Sequence, residues 1–317
     1  MGSTPLKTIL YLGADIGAEA AEKIAAGRAQ ILKVPSTSDV VRAAIRDCDA
    51  ILDASMKVHI TDAMIVTAAK LQIISCATTG SDHIERRELT RRGIPVRTLT
   101  EDRELLRNLT PAAELSWALL MACARKLPEA INHVKTGGWN REMFPGVMLK
   151  GKRLGIIGCG RIGTWMSRYA QAFGMEIVGY DPFISDVSPL IQPVSLEELV
   201  RISDFISIHV PLNEYTEALL SGKHFRAMKT GTILVNTSRG AVIDEKALLD
   251  ALESKRLRAA GLDVLIDEPD IDKSPLFRYI QSHDNLIITP HCGGFSPDAV
   301  SIVCSRAAEK IVEHLNL

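Results

Sequence analysis

Residues 153–181 read RLGIIGCGRIGTWMSRYAQAFGMEIVGYD, and this stretch decides the fold. A short apolar run, LGIIG, leads into Gly158-Cys159-Gly160-Arg161-Ile162-Gly163, which fits the pattern G-x-G-x-x-G. RIGTWMSRYAQAFG then has helical spacing, EIVGY reads as a second strand, and Asp181 ends it 18 positions after Gly163. Glycine-rich turns are common; a strand before, a helix after and an acid at this distance point to a bound dinucleotide. Gly158 allows the tight turn, Gly160 lets backbone approach a pyrophosphate, and Gly163 lets helix and strand pack closely. The helix start, with Arg161 and Ile162, presents unpaired N–H groups and partial positive charge to the phosphates. Asp181 can accept from both ribose hydroxyls and would repel a 2′-phosphate. No Lys or Arg lies between Asp181 and Arg201 to offset that repulsion, so NAD is expected rather than NADP.

Outward from this unit the same rhythm continues in both directions. Downstream, FISIHV, TILVNT, AAGLDVL and NLIITP read as further strands, which with RLGIIG and EIVGY make six. Upstream, KTILYLG, AQILKVP, AILDAS, LQIISCA and IPVRTL alternate with helical segments. Such βαβα order builds parallel sheets covered on both faces. In TSDVVRAAIRD, Thr37 or Ser38 is the expected N-cap. Thr110-Pro111 is a strong helix start, a hydroxyl cap followed by Pro, and AAELSWALLMACARK after it is apolar all round, as in a well-buried helix. The expected fold class is α/β with two domains. One would span residues 1–105 plus 294–317, the last stretch being a single helix from Ser296, and the other 106–293.

The chain has 317 residues, enough for two such domains. Hydrophobic residues make 46% and charged ones 24%; 37 basic against 38 acidic residues leave a net charge of −1. That balance gives no long-range attraction for nucleic acid, and no nucleic-acid partner is expected. The cluster Arg86, Arg87, Arg91 and Arg92 sits with Glu85 and Glu88 and reads as a solvated helix face. No signal peptide is expected at MGSTPLKTILYLG, and no apolar run of about 18 residues reaches membrane length, so no membrane partner is expected either. Cysteines 48, 76, 123, 159, 292 and 304 are scattered without a Cys-x-x-Cys, which gives no metal site and suits a reducing cytoplasm.

Three more segments fall at strand ends, where open α/β sheets place ligand chemistry: Asn236-Thr237-Ser238-Arg239-Gly240, Leu262-Asp263-Val264 with Glu268-Pro269, and Thr289-Pro290-His291 with Gly294. Together with the glycine motif, with His209-Val210-Pro211-Leu212, and with Ala77-Thr78-Thr79-Gly80 followed by Asp82, they resemble the D-isomer-specific 2-hydroxyacid dehydrogenases in order and spacing. GGWNREMF and GYDPFIS bring the resemblance nearest to phosphoglycerate-dehydrogenase-like members. It implies a Rossmann NAD-binding domain and a flavodoxin-like substrate domain, both doubly wound, with the active site in the cleft between them. It also implies a homodimer, with GGWNREMF near its interface, and a small 2-hydroxy or 2-oxo acid as substrate. Carried across by position, Arg239 would bind the carboxylate, His291 would exchange the proton with the C2 oxygen, and Glu268 would hold the imidazole. Asp263 would hold the nicotinamide carboxamide, Thr237, Ser238 and Gly294 would line the cofactor, and Val210 and Pro211 would lie near the adenosine. Thr78, Thr79 and Gly80 would help Arg239 and His291 to bind the acid. His209 and His83 stand evenly between packing and function.

The sequence also departs from those relatives. Phosphoglycerate-oxidising members carry an Arg-Ser pair where Asp53-Ala54 or Ala54-Ser55 stands here, and an Arg where Cys76 stands. Two cations that would hold a phosphorylated acid are therefore missing, with Lys57 or Arg141 as possible substitutes, and 3-phosphoglycerate is expected to be a poor substrate. EDRELLRNLTPAAE replaces the shorter Pro-Asn-Gly-Asn approach. The alternatives are an NAD(H)-sensing binding protein of corepressor type and a phosphite dehydrogenase on the same scaffold; formate enzymes carry Gln where Glu268 stands.

Overall fold

β-branched runs alternating with amphipathic segments give twelve strands and thirteen α-helices among the described residues, which in this computed structural model are 6–184 and 187–317. Met1–Pro5, Ser185 and Asp186 lie outside them, Ser185 being the last residue of GYDPFIS. The first strands and helices are β1 (Lys7–Leu12), α1 (Asp15–Ala25), β2 (Ala29–Lys33), α2 (Ser38–Ala44), β3 (Ala50–Asp53) and α3 (Asp62–Thr67). β4 (Ile73–Cys76), α4 (Arg87–Arg92), β5 (Val96–Arg97) and α5 (Arg103–Arg107) follow. Next come α6 (Pro111–Arg125), α7 (Leu127–Lys135), β6 (Arg153–Ile157), α8 (Arg161–Ala172), β7 (Glu176–Tyr180), β8 (Gln192–Pro193), α9 (Leu196–Ile202) and β9 (Phe205–Ile208). The chain closes with α10 (Gly222–Ala227), β10 (Thr232–Asn236), α11 (Glu245–Glu253), β11 (Leu257–Leu262), α12 (Pro275–Tyr279), β12 (Leu286–Ile288) and α13 (Pro297–Leu315).

The chain divides into two units, Met1–Leu109 with Phe295–Leu317, and Thr110–Gly294. The sequence had pointed to breaks at 105/106 and 293/294. In the first unit five parallel strands run in the order β2-β1-β3-β4-β5, the flavodoxin-like order. One face of that sheet packs Leu10, Ile51, Ile74 and Cys76 against Met64 and Ile65; the other packs Ile9, Tyr11, Leu52 and Ile73 against α1 and α13. Small residues let those two helices approach: a Cβ on Gly17 would lie 2.7 Å from Cys304 Sγ. Arg306 donates to Asp102 at 2.7 Å, and the buried Lys310 ammonium bonds Asp102 and the Thr98 carbonyl, so α13 is pinned to this unit at its polar side too.

In the second unit seven parallel strands run β12-β11-β10-β9-β6-β7-β8, a Rossmann order with one added edge strand. Six were expected from the sequence. The one the sequence did not show, β8, is two residues long and includes Pro193, so it carries no alternation to read and can only be an edge; the strand added to the six-strand Rossmann order is β12, at the opposite edge. α8 buries Gly163, Met166, Ser167 and Ala170 along one stripe, the i, i+3, i+4, i+7 spacing that packs a helix on a sheet.

Other local expectations were revised. Thr110 precedes α6 but makes no cap; its backbone is already helical (φ −105°, ψ −12°), and its hydroxyl bonds Glu114 instead. α6 is buried on one side only, through Ala113, Ser116, Leu119, Leu120, Cys123 and Ala124, while Ala118 is exposed. Thr37 sits at the N-cap of α2 without a side-chain bond. In the basic cluster, Arg92 donates to the carbonyls of Ile65 and Ala68 at the end of α3, and Glu88 is buried against Arg91, so this is a docked helix rather than a wholly solvated face.

Candidate active site

The loop between β6 and α8 uses its three glycines for three different reasons. Gly158 has φ +92°, and a Cβ there would lie 2.5 Å from the His209 carbonyl oxygen and 2.9 Å from Val210 Cγ1. At Gly163 a Cβ would meet the Gly158 carbonyl oxygen at 2.2 Å, so helix and strand could not close up. At Gly160 the nearest atom would be Ile184 Cδ1 at 3.7 Å. Space above Gly160 is open, and this N-cap residue has no side chain to bond the first N–H groups of the helix. Open space over a glycine at a helix start is what a pyrophosphate needs, so the residues present fit a dinucleotide.

Asp181 ties the end of β7 to that loop. Its Oδ2 accepts from Cys159 N at 2.9 Å, and its Oδ1 accepts from Phe183 N at 3.0 Å and Ile184 N at 3.1 Å. A carboxylate has about four lone-pair sites, so capacity remains for a ribose hydroxyl. Beside it lies a cavity of about 270 Å³ lined by Cys159, Tyr180, Asp181, Ile184, Ile191 and Val194. Pro211 accepts from Thr216 Oγ1 at 2.6 Å, which shapes the turn after β9. His209 shares a 2.7 Å bond with Ser207 through Nε2, and burial pushes its pKa down to about 3, so it stays neutral.

β10, β11 and β12 end side by side, with Asn236 opposite Leu262 and Leu262 opposite Ile288. Their C-terminal ends carry the second group of candidates. Asn236 is almost fully buried; it donates to Arg239 O at 2.9 Å and accepts from Ser238 N at 3.0 Å and Ser238 Oγ at 2.7 Å. This side chain holds the turn that presents Thr237 and Arg239. Asp263, 1% exposed, accepts from Thr289 Oγ1 at 2.6 Å, Cys292 N at 2.9 Å and Gly293 N at 2.7 Å. Those bonds brace His291, whose φ of +49° is a left-handed conformation costing about 1–3 kcal/mol for a non-glycine residue. Gly294 is exposed, with nothing near the place of a Cβ.

Glu268 Oε1 lies 2.7 Å from His291 Nδ1. A carboxylate accepts, so Nδ1 carries the hydrogen and Nε2 is the nitrogen able to exchange a proton. That hydrogen bond raises the His291 pKa above 6.5, against the opposing effects of burial and of the Arg239 charge. The arrangement is a cation, an imidazole held by a carboxylate, and a phosphate loop at the C-terminal ends of strands of one sheet, all within Thr110–Gly294.

Thr78, Thr79 and Gly80 belong to the other unit, in the loop after β4. Thr78 Oγ1 donates to Gly80 O at 2.7 Å, and Thr100 Oγ1 to Thr79 O at 3.3 Å. Asp53 and Cys76 stand opposite one another at the ends of β3 and β4, both fully buried. Asp53 Oδ2 is 2.6 Å from His83 Nε2, while its Oδ1 accepts from Ser55 N, Ser55 Oγ and Met56 N. Lys57 and Arg141 are both exposed. The sequence reading missed Ser116, which lies 2.6 Å from Thr237, and the bracing of His291 by Thr289 and the Cys292 and Gly293 amides. A lone serine in the apolar run of α6 was the signal for the first; the second had none.

Residues 117–293 match the family described as D-isomer specific 2-hydroxyacid dehydrogenase, NAD binding domain. D-3-phosphoglycerate dehydrogenase of Rattus norvegicus is 38% identical over 274 residues, covering 86% of this chain and 49% of that protein. The chain thus spans about half the length of the first curated relatives it matches. Glyoxylate reductase of Korarchaeum cryptofilum is 37% identical over 290 residues, 88% of this chain and 83% of that one. The crystal structure of a protein from Thermus thermophilus superposes with a TM-score of 0.85 at 30% identity, covering 97% of each chain. With more than half its length in the family's NAD-binding domain, and a glyoxylate reductase aligned over most of both chains, this chain belongs to the D-isomer specific 2-hydroxyacid dehydrogenase family.

Proposed function

We propose that this protein catalyses NAD-dependent interconversion of a small D-2-hydroxy acid and its 2-oxo acid. The observation that carries the reading is the His291–Glu268 pair, 2.7 Å apart, at the C-terminal end of the sheet that also bears Arg239 and the phosphate loop. The loop 158–163, the start of α8 and Asp181 would hold NAD, which when bound supplies or accepts the hydride at C2. Arg239 binds the substrate carboxylate, for which an always-charged planar fork is suited. His291 Nε2 gives a proton to the C2 oxygen in reduction and takes it back in oxidation. Glu268 fixes the tautomer and favours the charged imidazole. Such acid–base help is typically worth about 10²–10⁴-fold.

The acid is small and unphosphorylated in this reading. Phosphoglycerate-oxidising relatives carry arginines where Cys76 and either Asp53 or Ala54 stand, and none of these offers a phosphate a cation; Asp53 and Cys76 are fully buried. The protein is a cytoplasmic homodimer: all six cysteines are free, and α7 buries no residue while Ile131, Val134, Trp139 and Met148 are exposed. Apolar surface of that kind is usually covered by a partner. Among the described residues no helix is long and apolar enough to cross a membrane.

The test is NADH oxidation at neutral pH against glyoxylate, pyruvate, hydroxypyruvate, branched and aromatic 2-oxo acids and phosphohydroxypyruvate, with NADPH in parallel. Turnover with one group of unphosphorylated acids is expected. NADH binding without turnover of any acid would overturn the reading, and a preference for NADPH would overturn the role of Asp181.

A further inference from the structure

The loop that carries Glu268 leaves the core after Leu265 and returns to it at Ser274, and most of the residues between them are exposed. Asp267, Glu268, Asp270 and Asp272 crowd like charge into this excursion. Exposed backbone of that kind opens easily and has little of its own to keep a carboxylate within bonding distance of an imidazole. One side chain grips both of its ends. Glu245, buried in the first turn of α11, accepts from Ile266 N at 2.8 Å through Oε1 and from Ser274 Oγ at 3.5 Å through Oε2. Burial and the facing charge of Asp267 raise its pKa, while the Ile266 and Ser274 donors act the other way. A buried carboxylate is costly unless donors satisfy it, and both of these donors belong to the loop.

The same loop meets the turn that presents Arg239. A Cβ on Gly240 would lie 2.2 Å from the Leu265 carbonyl carbon and 2.4 Å from Ile266 N, so two backbones touch where any side chain would part them. Leu265 N, in this joint, donates to Glu268 Oε2 at 3.4 Å. Val242 N donates to Arg239 O at 3.3 Å and Ile243 N to Gly240 O at 3.0 Å, and the Asp244 side chain caps α11 by accepting from Ala247 N. Arg239, Gly240 and Glu245 therefore sit on one hydrogen-bonded segment. Resting on the reading of His291 as the acid–base group, we propose that Gly240 and Glu245 are positioning residues. They lock the backbone of Leu265 and Ile266 to the segment that bears Arg239, and so set Glu268 against His291.

The charges that act on His291 are those of Glu268, Arg239 and Asp263, and Glu245 reaches it through the loop. The His291 pKa is therefore the readout, followed by NMR titration of the full chain with isotope-labelled histidine, its signal identified by its absence from His291→Asn. Turnover of 2-oxo acids is measured alongside. In Glu245→Ala the loop is released, and the His291 pKa should fall toward that of an ordinary histidine. At neutral pH kcat for reduction should drop about three- to tenfold, with KM changed by less than about twofold. Glu245→Gln removes the charge but keeps an acceptor for Ile266 N, and should restore both pKa and kcat. Gly240→Ala forces the same joint from the other side, and should lower the His291 pKa even where Glu245→Ala fails to fold. Adding Glu245→Ala to Glu268→Gln should lower the pKa no further than Glu268→Gln alone. A His291 pKa unmoved in either alanine variant, a Glu245→Gln variant as impaired as Glu245→Ala, or a further fall in the double variant would overturn the inference and leave the acid–base reading intact. A wild type that turns over no acid, yet whose His291 pKa answers to Glu245, would overturn that reading alone.

Discussion

Two histidine–carboxylate pairs of nearly equal length stand in this molecule, one in each unit. His291 and Glu268 meet at 2.7 Å with side chains 33% and 31% exposed; His83 and Asp53 meet at 2.6 Å with side chains 10% and 0% exposed. Among the described residues Glu268 binds little else, its other oxygen accepting from Leu265 N at 3.4 Å. Asp53 holds three further donors from Ser55 and Met56. His291 sits in a left-handed backbone that its loop must brace. The Nδ1 of His83 is buried and has no partner among the described residues. One bond chemistry thus serves two ends: a pair with an open nitrogen can exchange a proton with a substrate, and a sealed pair can only hold a strand end and a loop together.

The comparison breaks first at His291. His291→Asn should lower kcat by about 10²–10⁴-fold, the range of a lost acid–base group, with little change in melting temperature. Wild-type turnover in this variant would remove His291 from the mechanism. Asp53→Ala is the counterpart on the sealed side. It strips the partner from four donors in a buried place, and breaking such a cluster costs about 3–5 kcal/mol of stability. Denaturant unfolding should show that loss, and a variant as stable as wild type would mean the Asp53 cluster is not what fastens β3 to its loop. His83→Ala should be milder, about 1–3 kcal/mol, since one oxygen of Asp53 loses its donor while the other keeps all of its own.

The two pairs were also unequally legible. Each joins residues far apart in sequence, 268 with 291 and 53 with 83, and no period or spacing connects them. Glu268 and His291 are readable only through the resemblance of their segments to a known family; for the pairing of Asp53 with His83 there is no such guide. By contrast, the phosphate loop and its acid lie within 158–181, where turn, helix start and strand end are fixed by neighbours in the chain. Most strands were legible because β-branched runs mark them; β8, at two residues, was too short. Thr110 looked like a cap because the residue type is right, yet capping depends on backbone angles that the residue type does not set. Ser116 and the bracing of His291 are tertiary contacts, made when α6 and the loop after β12 pack against strand ends, and residue type alone does not announce them.

The comparison sharpens most finely at Glu268. Its hydrogen bond is the main cause raising the His291 pKa, so the imidazole stays protonated to higher pH than an ordinary histidine. Reduction of an oxo acid needs that protonated form and should fall as pH rises through the raised value; oxidation of the hydroxy acid needs the neutral form and should climb over the same range. In Glu268→Gln both limbs should move toward lower pH, and reduction measured at neutral pH should drop by roughly tenfold or less while oxidation is spared. The stability linkage has the same sign. A raised folded pKa contributes stability that is complete below the unfolded value and is lost as pH rises through the folded one, so any advantage of wild type over the variant should fade toward alkaline pH. With both side chains about a third exposed, solvent screens that contribution to a small one, and the pH–rate profile is the measurement to make. Limbs that stay where they are in Glu268→Gln would mean that Glu268 only orients the ring, which would bring the open pair closer in character to the sealed one.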